Sequence, residues 1–163
     1  MVDMTDLCLC GNSIGPKGAV ALAGALGKMV NMMELSLGQN DIGPKGASAL
    51  ARALGKMVSM HWLRLDGNKI GPEGAVALVG ALGKMVNMVK LDLSQNAIGP
   101  KGAGALLSAL LKMHEISAFL CDTMPNKLDW ASVGYRRPSS KVLEEGWVPA
   151  LRYLREQPAH GSI

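Results

Sequence analysis

The apolar residues of this chain change their period twice in every 28 residues. Leu7 and Leu9 alternate with small or polar neighbours, the pattern of a half-buried strand. An Asn and an Ile follow at 12 and 14, and then Ala19, Leu22 and Leu26 recur at helical spacing. The same succession starts again at Leu35, Leu63 and Leu91, each 28 residues after the last. The pattern predicts four strand–turn–helix units. Gly15 allows a sharp entry to the helix, and Pro16 suits its first turn. The Met at 29, 57, 85 and 113 and the next at 32, 60 and 88 lie on the return leg. Their flexible side chains suit irregular gaps between neighbouring units.

One strand and one helix cannot bury their own apolar faces, whereas stacked copies can. Stacking places the strands in a parallel sheet and the helices in an outer layer. Helices are about 10 Å wide and strands about 4.8 Å apart, so the stack curves with the sheet inside. The expected fold is therefore an α/β solenoid, an arc of a horseshoe with a concave parallel sheet and convex helices. The Asn at 12, 40, 68 and 96, turned inward, can bond backbone groups of adjacent turns and form a ladder.

The run L-x-L-x-x-N-x-I-G-x-x-G-A-x-A-L-x-x-A-L resembles the ribonuclease-inhibitor class of leucine-rich repeats. Leu7, Leu9, Asn12, Ile14, Gly18, Ala19, Leu22 and Leu26 carry the likeness, and their equivalents recur three times. Similar repeats occur in ribonuclease inhibitor, the activator of the Ran GTPase and NOD-like receptors. What the resemblance implies is a curved surface that binds other proteins.

Residues 1–122 are expected to hold four clear units and a degenerate fifth strand, with Phe119 and Cys121 in the places of Leu91 and Leu93. Residues 123–163 are expected to form an irregular segment and a helical C-terminal cap anchored by Trp147, divided into two helices near Pro149. The stretch from Pro138 to Glu156 also resembles the helix that closes the repeats of Roco-type proteins, through Val142, Gly146, Leu151, Tyr153, Leu154 and Arg155. Met1-Val2-Asp3-Met4 aligns with Met29-Val30-Asn31-Met32, so the chain opens inside a repeat. The expectation is a piece of a longer array, or an end that pairs with another subunit.

If the leucines point inward, their neighbours line the concave face in three columns. Before the first Leu stand Asp6, Glu34, Trp62 and Lys90, with Ala118 next in line. Between the two stand Cys8, Ser36, Arg64 and Asp92, with Leu120 next. After the second stand Cys10, Gly38, Asp66 and Ser94, with Asp122 next. The helices repeat almost verbatim while these positions change in every unit. Glu34, Ser36, Trp62, Arg64, Asp66, Lys90, Asp92 and Ser94 are therefore the expected protein-binding residues, with Trp62 and Arg64 as anchors of the kind that dominate interfaces. The plainer alternative has Trp62 packing over Glu34 and Lys90, and Arg64 pairing with Asp92 across adjacent strands.

Composition narrows the rest. With 48% apolar residues the chain can build a core, and with 4% aromatics that core must be aliphatic. No apolar run reaches the ~18 residues of a membrane-crossing helix, and no membrane partner is expected. Three cysteines without a signal peptide point to a reducing, cytoplasmic setting. The net charge of +4 is spread along the chain and forms no basic arm, so no specific nucleic-acid partner is expected. Cys8 and Cys10 form a C-x-C pair with no second pair or nearby His, and neither a metal site nor a nucleophile is expected there. The G-P-K-G segments lack the Lys-Ser/Thr ending of a phosphate loop and read as turns. The Lys at 28, 56, 84 and 112 suit helix C-termini.

The leading expectation is a non-enzymatic, cofactor-free module that binds a protein on its concave face. The alternatives are the sensing arm of a nucleotide-binding switch of NOD-like or Roco type, contacting further repeats or domains, and a GTPase activator of the Ran-activator type. The last needs an inserted or loop residue placed beside bound nucleotide, and neither Arg52 nor Arg64, the arginines of the repeats, sits in such an insertion.

Overall fold

A computed structural model describes residues 4–123, 128, 130 and 135–156. Five parallel strands form one sheet in sequence order: β1 (Asp6–Cys8), β2 (Glu34–Ser36), β3 (Trp62–Arg64), β4 (Lys90–Leu93) and β5 (Ala118–Cys121). Between them run four 12-residue helices, α1 (Gly15–Leu26), α2 (Gly43–Leu54), α3 (Gly71–Leu82) and α4 (Gly99–Leu110), each packed on the next. This is the curved α/β solenoid that the two periods predict. No helix among the described residues is long and apolar enough to cross a membrane.

The core lies between sheet and helices. Leu35, Leu37, Leu63, Leu65, Leu91 and Leu93 are at most 1% exposed, and Met57, Met85, Met32, Met60 and Met88 are fully buried beside them. Removing one such leucine side chain would cost about 2–5 kcal/mol. The Pro of each G-P-x-G sits in the first helical turn, where an amide hydrogen is not needed. The Gly after it has no side chain because none fits. A Cβ on Gly46 would lie 2.6 Å from Ile42 Cγ2 and 2.9 Å from Ala19 Cβ.

The asparagines form the ladder that an inward turn requires. Asn40 Oδ1 accepts from Asn12 N at 2.9 Å, Asn68 Oδ1 from Asn40 N at 3.1 Å, and Asn96 Oδ1 from Asn68 N at 3.0 Å. Each Nδ2 of Asn40, Asn68 and Asn96 donates back to the preceding unit, to Leu9 O, Leu37 O and Leu65 O, each at 2.8 Å. The ladder holds a contorted turn. The residues on either side of each Asn are left-handed, including the non-glycines Gln39, Asp41, Lys69, Gln95 and Ala97. Such residues cost about 1–2 kcal/mol each, which the buried bonds offset.

The direction of these bonds explains how the ladder ends. The turn amides of each unit point toward the next, so the last clear unit presents donors. Position 124, where a fifth Asn would stand, is Met. Asp122 supplies the acceptors instead: Oδ2 accepts from Asn96 N at 2.8 Å and Ala97 N at 2.9 Å, and Oδ1 accepts from Gln95 N. A carboxylate only accepts, so it satisfies those amides and offers nothing further. Asp122→Ala is expected to lower stability by about 1–2 kcal/mol, the scale of a lost helix cap, read as a fall in the urea midpoint.

Beyond β5, the described residues include two short helices, α5 (Ser140–Glu144) and α6 (Trp147–Glu156). The break between them falls at Glu145–Gly146, where Gly146 has φ +105°, and not at Pro149. Pro149 is the third residue of α6, where the first-turn amides have no helical partner to lose. Trp147 is 4% exposed; its Nε1 donates to Thr123 O at 2.7 Å, and its ring meets Phe119 edge-on at 5.6 Å. Arg155 donates to Leu110 O, Leu111 O and Met113 O, capping the C-terminal end of α4.

Candidate functional site

Because every unit has the same length, the strands pair without offset and the columns of the sheet are literal. Asp6, Glu34, Trp62, Lys90 and Ala118 are successive register partners, and so are Cys8, Ser36, Arg64, Asp92 and Leu120. Leucines alternate with them and face the core, so these side chains face the open side of the sheet.

Trp62 is 37% exposed, although the leucine next to it is fully buried. Lys90 from β4 holds its Nζ 5.3 Å from the centre of the Trp62 ring, a cation–π contact. Lys90 and Asp92 form the floor of a hollow of about 240 Å³, with Trp62 and Arg64 as one wall and Ala118 and Leu120 as the other. Leu120 is 54% exposed. The small Ala118 beside Lys90 is what leaves the space open.

Arg64 does not pair with Asp92 across the strands. Its Nε donates to Asp66 Oδ1 at 2.6 Å and its Nη2 to Asp66 Oδ2 at 3.3 Å. The cause lies one strand away, at Gly38. A Cβ there would overlap the Asp66 carboxylate, so the missing side chain gives Asp66 its place. Asp66 is 6% exposed and is removed from any contact surface; it fixes the Arg64 guanidinium, whose pKa its hydrogen bonds raise. Asp92 Oδ1 accepts from Ser94 N at 2.9 Å and Ser94 Oγ at 2.6 Å, so these two residues also hold each other. Glu34 is exposed and Ser36 half-buried, on the other side of Trp62 from the hollow. The expected residues therefore divide. Trp62, Arg64, Lys90 and Asp92 meet around one hollow, Asp66 and Ser94 set the angles of two of them, and Glu34 and Ser36 flank it. Ala118 and Leu120 belong to it as well; their signal was their place in the columns, on a strand whose repeat pattern has decayed.

Cys8 ends β1, and Cys10 lies two residues beyond it, in the turn. Cys8 is exposed and Cys10 half-buried, and both thiols are free. Hydrogen bonding from Cys10, its backbone first, holds the Cys8 thiol below the usual range, whereas burial pushes Cys10 and Cys121 up. The thiolate is the reactive form. In an iodoacetamide series at rising pH, Cys8 is therefore expected to be alkylated first and Cys121 last, read by peptide mass spectrometry.

Residues 28–51, 59–79 and 84–107 each match the family model described as Leucine Rich repeat. No curated protein matches the chain.

Proposed function

The chain is a leucine-rich repeat protein, and on that premise we propose that it is a non-enzymatic module that recognises a protein partner on its concave face. The observation that carries this is Trp62, an aromatic ring 37% exposed beside an open hollow when the fold gives it no core to fill. Lys90 steadies the ring and Asp66 steadies Arg64 before any partner arrives. A preordered anchor loses little freedom on binding, which is where such surfaces gain affinity. The hollow suits one apolar side chain, lodged between Trp62 and Leu120, with polar partners near Arg64, Lys90 and Asp92.

The 28-residue period and the 12-residue helix of every unit support a place in the ribonuclease-inhibitor class. The three free thiols support a reducing, cytoplasmic setting. A GTPase-activating role gains no support, since Arg64 is tied to Asp66 and Arg52 lies on the outer helices.

The test is a pull-down from cell lysate with the wild-type chain and with Trp62→Ala plus Arg64→Ala, both checked for folding by circular dichroism. A protein retained by the first and lost by the second is the expected outcome. Equal retention by both would overturn the concave reading.

A further inference from the structure

The charges of the repeats are sorted between the two faces. Over residues 4–116, the strand columns carry Arg64 and Lys90 against Asp6, Glu34, Asp66 and Asp92. The helices and connecting loops carry the other nine Lys/Arg against three carboxylates. The outer side is therefore strongly basic, and the inner side is not.

The basic side also contains two grooves. One, of about 700 Å³ between α1 and α2, is floored by Ala23, Gly24, Ala49 and Ala53 and edged by Lys28, Arg52 and Lys56. The second, of about 650 Å³ between α2 and α3, shares Arg52 and Lys56 and adds Lys84. No carboxylate lines either. The floors are open space: a Cβ built on Gly24 or Gly80 meets nothing within 4 Å. The two ion pairs among the described residues are Arg64–Asp66 and Lys69–Asp41, so neither engages the groove cations. Helix dipoles account for lysines at helix ends. They do not account for the want of counter-charges along the whole face, nor for Arg52 between the grooves.

We propose that this convex face docks an extended acidic segment of a partner polypeptide, at a site separate from the concave hollow. The spacing fits. Packed helices lie about 8–10 Å apart, so Lys28, Lys56 and Lys84 step by about that distance. A chain extended as polyproline II rises about 3.1 Å per residue with about three residues per turn, so carboxylates at every third position share one edge and meet each lysine in turn. The small side chains between them flank that edge and let it approach the shallow surface closely. The recessed floors disfavour a flat lipid surface, and the lining has no aromatic ring on which a nucleic-acid base would stack.

The test is fluorescence anisotropy with a labelled peptide made of four Glu-Val-Ser units, against a permuted peptide of the same composition with its glutamates adjacent. The regular peptide is expected to bind the wild type at low salt and to weaken about tenfold or more with Arg52→Glu plus Lys56→Glu. Trp62→Ala is expected to leave it unchanged. Both sites are exposed, and helicity by circular dichroism checks that the charge-reversed chain folds. No binding, equal binding of both peptides, or binding undiminished by charge reversal would overturn the proposal. So would a preference for oligouridylate or for phosphatidylserine vesicles over the regular peptide. Loss with Trp62→Ala alone would return the acidic segment to the concave hollow.

Discussion

Replacing Asn68 by alanine is expected to destabilise the chain by about 3 kcal/mol or more, close to unfolding it at ambient temperature. Asn68 is completely buried. Its Nδ2 serves Leu37 O, Leu65 O and Asp66 O, and its Oδ1 accepts from Asn40 N and Ile42 N. Alanine strips partners from backbone groups in two adjacent units where water does not reach. Each orphaned group costs about 1–3 kcal/mol. It also frees a turn with left-handed Gly67 and Lys69 on either side of the Asn. Asn12 is the internal control. It stands on the exposed first unit, and its Nδ2 bonds stay within that unit. Asn12→Ala is expected to cost less than about 1 kcal/mol because water replaces the bonds. Urea denaturation followed by circular dichroism reads both.

The second large effect concerns binding. Once a partner of the concave face is in hand, Trp62→Ala is expected to weaken it by about 2 kcal/mol or more, roughly thirtyfold. The loss has two sources. The ring itself leaves the interface, and Lys90 loses the surface that positions its ammonium. Gly38→Ala is expected to act in the same direction through another route, by pushing Asp66 aside and unlocking Arg64. Titration calorimetry with the purified partner measures both.

The fold was legible because the same 28 residues are written four times. Repetition without insertions fixed the register, and the register fixed which side chains share a column. The Asn ladder was legible for the same reason. What the sequence hid depends on reach in space. Arg64 and Asp92 are adjacent in the columns, yet Arg64 turns to Asp66, because Gly38 leaves a vacancy that a column of letters does not show. Asp122 looked like one more concave residue, and it is the acceptor that closes the ladder, a role visible only once the amides of 95–97 have a direction. The turn strain was hidden because Gln, Asp, Lys and Ala occupy left-handed positions that usually advertise themselves as glycine. The basic outer face was hidden in a near-even linear count, since its cations and the inner carboxylates interleave along the chain.

The proposed recognition site is the hollow beside Trp62. Hydroxyl-radical footprinting of the chain alone and saturated with the protein captured from lysate tests it most directly, because oxidation reports side-chain exposure residue by residue. Protection of Trp62 and Leu120, with the exposed valines of the outer helices, Val20 and Val76, unchanged, is the expected result. Protection confined to Val20 and Val76, with Trp62 oxidised as fast in the complex as alone, would contradict it.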